Sequence, residues 1–207
     1  ELQPQKIKVP GDPSSAAFMV VAALIVPGSE IIIENVGINP TRAGLFEVLQ
    51  NMGGDIRFKK QRTVGGEPVA DIHVKYSALT GIDVPANIAP SMIDEFPVLF
   101  IAAAMASGET TTRGLHELRV KESDRLSQMA KGLELLGVKL TEKDDGLVIE
   151  GSGGKPLTGG RNKPVIETAL DHRIAMSFAV AGLVTTAGIS IDDVTPVQTS
   201  FPGFQEL

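Results

Sequence analysis

Arg119-Val120-Lys121-Glu122-Ser123-Asp124-Arg125 holds five ionisable side chains in seven residues. One reading is a solvated charge cluster ahead of a helix, with Ser123 as its N-cap. The other is chemical. Arg125 falls in the first turn of the helix that follows, where the helix dipole disfavours a cation by ~0.3–1 kcal/mol. Arg173 repeats this at the start of another apolar helix, directly after Asp171 and His172. Asp171 can serve there simply as a cap. Yet backbone N–H groups at a helix start attract phosphate or carboxylate, and a guanidinium adds a bidentate grip. Two arginines so placed invite an anionic ligand. Asp94, beside Glu95, opens a third apolar helix. Capping accounts for it; so does a general base whose proton affinity is tuned by neighbouring Lys and Arg charges. Asp12 has the same capping role open to it, and Ser14 and Ser15 read as helping to terminate the turn. His73 and His116 lack ligand-like partners and read as structural or exposed. His172 fits either a structural or a site role. No pair of His or carboxylate residues has convincing metal-ligand spacing, and no Walker or dinucleotide glycine motif is present.

The elements that must position these residues form a repeat. Three segments open on an Asp, continue into an Ala-rich apolar helix and break at a Gly: Asp12 with Ala16–Val26 and Gly28, Asp94 with Val98–Ala106 and Gly108, Asp171 with Ile174–Val184 and Gly188. The leading Asp residues lie 82 and 77 positions apart, too far for a solenoid and suited to a supersecondary unit used three times. Short strands follow at Glu30–Glu34, Glu109–Arg113 and Ile189–Asp192. Amphipathic helices follow at Thr41–Met52 and Asp124–Leu136, with apolar residues at i, i+3, i+4 and i+7. Hairpins come next: Asp55–Lys59 with Asp71–Lys75 across Gly65-Gly66, and Val138–Thr141 with Leu147–Glu150 across Asp144-Asp145-Gly146. The third unit reaches a second helix beginning at Phe201 and has no hairpin. Opening strands fit at Lys6–Val9, Gly81–Val84 and Val165–Thr168. The unit is then βαβαββ, with the most apolar helices inside. Gly151–Gly160 and Arg62–Glu67 read as surface loops.

Composition narrows the function. Apolar residues make up 43% and aromatics only 4% of the 207, so small aliphatic side chains and Gly must fill a globular core. The absence of Cys excludes disulfides, thiolate metal sites and a Cys nucleophile, and is compatible with a cytoplasmic setting. A net charge of −6 argues against general nucleic-acid binding. No apolar run reaches the length of a membrane span, and no signal peptide is visible. Both ends read as cut, which predicts a fragment.

Five elements together resemble EPSP synthases (3-phosphoshikimate 1-carboxyvinyltransferases). They are Gly11-Asp12-Pro13-Ser14-Ser15-Ala16-Ala17-Phe18, Asn39-Pro40-Thr41-Arg42, Asp94-Glu95-Phe96-Pro97, Arg119–Arg125 and Asp171-His172-Arg173-Ile174-Ala175-Met176. They follow in family order and at family spacing over essentially the whole chain. The resemblance implies an α/β, enolpyruvyl-transferase-type domain of three βαβαββ units, the third incomplete, with the helices buried inside the sheets. Residues 1–9 would end an interdomain segment and start the first strand. Residues 10–207 would be the C-terminal domain, with units at about 6–76, 81–150 and 165–207. The family transfers the enolpyruvyl group of phosphoenolpyruvate to the 5-hydroxyl of shikimate 3-phosphate, releasing phosphate, with no metal and no organic cofactor.

By the same resemblance, Asp94 matches the carboxylate that contacts the 5-hydroxyl and takes its proton. Glu122 matches the residue that protonates the phosphoenolpyruvate methylene carbon. Arg125 and Arg173 match the pair that holds the phosphoenolpyruvate carboxylate, and Lys121 a motif lysine in shikimate 3-phosphate or other active-site contacts. Asp171 and His172 match supporting residues. The implied partners are the two substrates and the N-terminal domain of the same protein, in a monomeric cytoplasmic enzyme. One departure is Gln198-Thr199-Ser200-Phe201-Pro202, where Thr199 stands at a position that is Lys in many members; this resembles a divergent bacterial subgroup. The other is the missing counterpart of the shikimate 3-phosphate site, so the isolated chain is expected to be inactive. The competing expectations are a UDP-N-acetylglucosamine enolpyruvyl transferase and a non-catalytic domain.

Overall fold

Apolar composition sorts the helices into two kinds, and the fold follows from where each kind can sit. The structure is a computed structural model that describes residues 8–159 and 163–207. In chain order its elements are α1 (Pro13–Ile25), β1 (Glu30–Gly37), α2 (Gly44–Asn51), β2 (Asp55–Val64), β3 (Glu67–Lys75), α3 (Phe96–Met105), β4 (Ser107–Thr111) and α4 (Arg125–Leu135). Then come β5 (Lys139–Lys143), β6 (Gly146–Ser152), β7 (Val165–Ile166), α5 (His172–Gly182), β8 (Ser190–Ile191) and α6 (Thr195–Ser200). Short 3-10 turns lie at Ala86–Ser91, Ile93–Glu95, His116–Val120 and Phe204–Glu206.

Helices α1, α3 and α5 pack against one another at the centre. Every residue of α3, Phe96 to Met105, is buried, as an all-round apolar helix requires. Helices α2 and α4 are amphipathic and turn one apolar face inward, Leu45, Phe46, Val48 and Leu49 on α2 and Leu126, Met129, Ala130 and Leu133 on α4. Two antiparallel three-stranded sheets cover the central helices, in the orders β1-β3-β2 and β4-β6-β5. One apolar cluster runs from Ala16 to Val197, so the repeats share a single core. The expected arrangement of helices inside sheets is the one observed.

The third unit differs from the other two. Its sheet is a parallel pair of two-residue strands, β7 and β8. No hairpin accompanies it among the described residues. An apolar groove between α1 and α5, lined by Met19, Ala22, Val26, Val180, Leu183 and Phe204, lies open on that side.

The expected opening strands are mostly reduced to single parallel bridges. Of Lys6–Val9, Lys6 and Ile7 lie outside the described residues, and Lys8 and Val9 belong to no strand. Gly11 alone bridges to Val36. In the second unit the pairing occurs only at Thr80–Ser107 and Asp83–Thr111. The backbone approaches so closely between them that a Cβ on Gly81 would lie 2.3 Å from the Glu109 carbonyl oxygen. Other boundaries moved for local reasons. Helix α2 starts at Gly44 rather than Thr41, because Asn39 Oδ1 accepts the Thr41 N–H at 3.1 Å and holds Asn39–Arg42 in a turn. The last α-helix ends, rather than begins, at Phe201, where Pro202 and the left-handed Gly203 (φ 82°) stop it. Arg62–Val64 and Gly151–Ser152 are strand, not loop. Gly65 and Gly66, at φ 61° and 90°, make the two-residue hairpin turn that carries β2 into β3.

Candidate active site

Each central helix begins at the same end of the molecule, and the side chains at those starts meet there. Asp12 caps α1, accepting the Ser15 N–H at 2.9 Å, and Asp171 caps α5, accepting the Arg173 N–H at 2.9 Å. At α4 the cap is Asp124, which accepts the Ser127 N–H at 3.0 Å. Ser123, the expected cap, instead donates its hydroxyl to Asp171 Oδ2 at 3.0 Å. Asp94 does not cap α3 either. It lies in a 3-10 turn one residue ahead of the N-cap Glu95, which makes no side-chain cap bond. Pro97, at the second helical position, has no N–H for a cap to accept. Asp94 is thereby left to other partners.

Those partners are cationic. Arg125, the first residue of α4, is 1% exposed and sits beneath three carboxylates. Its Nε donates to Asp171 Oδ2 at 2.8 Å, its Nη1 to Asp94 Oδ1 at 3.1 Å, and its Nη2 to Glu122. The dipole cost of a cation at a helix start is offset by these charge-assisted bonds. Asp171 is fully buried, whereas the side chains of Asp94 and Glu122 are 37% and 52% exposed. The two outward carboxylates are therefore open to a ligand, while Arg125 and Asp171 form the floor. Lys121 Nζ lies 3.6 Å from Asp94 Oδ1 and also pairs with Glu117. Arg173 is half-buried; its Nη1 donates to the Asp94 carbonyl at 3.1 Å and stands 3.7 Å from Glu95 Oε1.

Titration follows this packing. Burial pushes the Asp171 carboxyl up, but the Arg125 guanidinium, the Arg173 N–H and the Ser123 hydroxyl together hold it below the usual range. Burial pushes His172 down, and the Arg173 charge adds to the fall. The Glu117 partner raises Lys121, keeping it charged. The loop that delivers Asp171 is strained: Ala169 and Leu170 both take left-handed backbone, at φ 51° and 61°. Such costs persist where surrounding structure imposes them. Here Thr168 anchors the loop, donating its hydroxyl to Asp192 Oδ1 at 2.7 Å and accepting the Asp171 N–H at its carbonyl.

Of the residues singled out in the sequence, Asp94, Lys121, Glu122, Arg125, Asp171 and Arg173 form one connected network, with His172 half-buried beside it. Ser14, Glu95 and Arg42 were not singled out for the site, yet they extend it. Buried Ser14 donates to Glu95 Oε1 rather than terminating a turn, and accepts from Arg42 Nη2 at 3.1 Å. Superposing the three repeats on their leading Asp residues would have found Ser14, Glu95 and Arg173 together, one or two positions after Asp12, Asp94 and Asp171. Thr199 is exposed on α6, and His116 is exposed. His73 is buried on β3 against Glu30 at 2.7 Å. Among the described residues no cluster of His, Asp and Glu is placed to hold a metal ion, and no helix is long and apolar enough to cross a membrane.

Helix starts converging on a charged face, above a core of helices wrapped by small sheets, define an enolpyruvyl-transferase-type domain. The enolpyruvyl transferase NikO from Streptomyces tendae shares this fold at a TM-score of 0.69 over 93% of the chain, with 18% identity. A family model for EPSP synthase (3-phosphoshikimate 1-carboxyvinyltransferase) matches residues 1–207, and the chain belongs to that family. The chain is 66% identical to a 3-phosphoshikimate 1-carboxyvinyltransferase of Zymomonas mobilis over 208 residues, covering all of this chain and 46% of that protein. It is 62% identical to one from Sphingopyxis alaskensis, with the same coverage. An EPSP synthase structure from Acinetobacter baumannii superposes at a TM-score of 0.92 with 50% identity, over 97% of this chain and 45% of that one. The chain thus spans about half the length of the relatives it matches.

Proposed function

We propose that this chain supplies the phosphoenolpyruvate-facing half of an EPSP synthase active site, and that the rest of the site comes from an N-terminal domain of the same protein. The observation that carries this is the Arg125 network: one buried guanidinium orients two outward carboxylates, Asp94 and Glu122. Addition to an enol phosphate, and the elimination that follows, need one group to take a proton and another to give one at each step.

In this reading Asp94 accepts the proton of the 5-hydroxyl of shikimate 3-phosphate as its oxygen attacks C2 of phosphoenolpyruvate. Glu122 delivers a proton to the methylene carbon, and a tetrahedral intermediate forms. Glu122, now ionised, takes a proton back from the new methyl group, phosphate departs with the proton held by Asp94, and the double bond is regenerated. Arg173 and Arg125 hold the phosphoenolpyruvate carboxylate. Arg125 already binds Asp171, Asp94 and Glu122, so Arg173 makes the first contact and Arg125 keeps the carboxylates aligned. Lys121 steadies Asp94 and faces shikimate 3-phosphate, and Asp171 and His172 support the floor. The enzyme works as a cytoplasmic monomer in this proposal.

The test is phosphate release from phosphoenolpyruvate. The chain alone should give none. Mixed with the complementary N-terminal half of the Zymomonas mobilis relative, it should turn over with shikimate 3-phosphate and not with UDP-N-acetylglucosamine. Turnover by the isolated chain, or with the nucleotide sugar alone, would overturn the proposal.

A further inference from the structure

We propose that Glu95 is a positioning residue for Arg173 that sets how much cationic charge Arg173 presents to an anionic ligand; this rests on the clamp role given to Arg173 above. The Glu95 side chain is 5% exposed and lies where all three repeats meet. Ser14, the second residue of α1, donates to its Oε1. Arg42, in the turn ahead of α2, donates to the same Ser14 oxygen at 3.1 Å. Arg173, in the first turn of α5, holds Nη1 3.7 Å from Oε1 while binding the Asp94 carbonyl. A carboxylate at the N-cap position of α3 thus bypasses its own helix and ties α1 to α5.

The two site arginines contrast sharply. Three carboxylates offset Arg125. Among the described residues, Glu95 is the carboxylate within ion-pair range of Arg173. An ionised Glu95 therefore cancels much of the Arg173 charge, and a neutral Glu95 leaves it for the ligand. The charged groups facing Glu95 are Arg173 from α5, Arg42 with its partner Asp12 at 3.6 Å, and the adjacent Asp94 with Lys121 at 3.6 Å. Burial pushes Glu95 up, the Ser14 hydroxyl and Arg173 pull it down, and Asp94 adds to the rise; the outcome is upward. An anion arriving at Arg173 would raise it further, so binding takes up a proton. Affinity is then best below the Glu95 titration and weakens as pH rises through it.

The experiment measures KM for phosphoenolpyruvate and kcat between about pH 5 and 9 in the full-length enzyme, for wild type, E95Q, E95A and S14A. The wild-type KM should match E95Q at the acid end and exceed it by about fivefold or more at the alkaline end, the effect of one charge at about 4 Å in a water-like medium. The pH dependence should sit in KM rather than kcat. S14A should move the wild-type inflexion to higher pH, since it removes a bond to the ionised form. E95A should have a higher KM than E95Q at every pH, because Ser14 and Arg42 lose the anchor that Gln retains. Parallel wild-type and E95Q profiles, or equal losses in E95Q and E95A, would overturn the proposal. A wild type without turnover removes the clamp reading as well, which separates the two failures.

Discussion

Replacing Asp171 should destabilise the domain strongly. Asp171 and Arg125 are 0% and 1% exposed, and their bond is 2.8 Å long. Removing one partner of such a buried pair costs about 3–5 kcal/mol, because the other charge is left in a poor solvent. Asp94 and Glu122 still contact Arg125, which places D171N near the lower end, about 3 kcal/mol. Asn keeps an oxygen for the Arg173 N–H, so the α5 cap survives. D171A loses the cap too and should cost about 1 kcal/mol more. With a urea slope of about 2–3 kcal/mol per M, the D171N midpoint should fall by about 1 M or more. The pH dependence has a definite sign. Asp171 is held below its ordinary value of 3.8, so its contribution is fully present above that value and is lost as pH falls through the folded-state value. The gap between wild type and D171N should therefore be full near neutrality and narrow in acid. A midpoint shift under about 0.3 M at neutral pH would refute the claim that this pair holds the site floor.

Other outcomes follow from the same geometry. Glu95 is raised above its ordinary value of 4.5, so its ionisation costs stability that accumulates as pH rises from that value to the folded one. Urea melts should then show E95Q matching wild type near that lower pH and exceeding it in alkali. G151A would place a Cβ 2.1 Å from the Ala106 carbonyl oxygen and 2.7 Å from that of Ala103, rigid backbone at the end of α3. Overpacking there should cost about 1–3 kcal/mol by the same assay, without altering the Asp171 pH signature. D12A removes the α1 cap and should cost about 1 kcal/mol; the exposed Arg42 pair at 3.6 Å should add little.

Much of the architecture was legible because burial depends on pattern. The Ala-rich runs that follow Asp12 and Asp94 are apolar all round, the one that follows Asp171 nearly so, and such helices pack at the centre of a domain. Leu126, Met129 and Leu133 mark one face of α4 in the same way. The opening strands were less legible. Their pairing depends on the close approach of Gly81 to Glu109, a tertiary contact that no local run of residues announces. In the site, the positions of Arg125 and Arg173 at helix starts were visible as local rule-breaking. The partners that compensate them were not, since Arg125 reaches Asp94 and Asp171 across 31 and 46 residues. Capping could not be settled locally where neighbours compete: Ser123 serves Asp171 rather than α4, and Pro97 offers Asp94 no N–H to accept. Ser14 looked like turn chemistry because its acceptor, Glu95, lies 81 residues away.

The most direct test of the proposed division of labour is kcat for phosphate release by D94N and E122Q in the assembled two-domain enzyme, with KM for phosphoenolpyruvate measured alongside. Loss of a positioned proton acceptor or donor should lower kcat by about 100-fold or more in each variant, with KM changing far less. A kcat within about threefold of wild type in either variant would remove that carboxylate from the chemistry and contradict the role assigned to it.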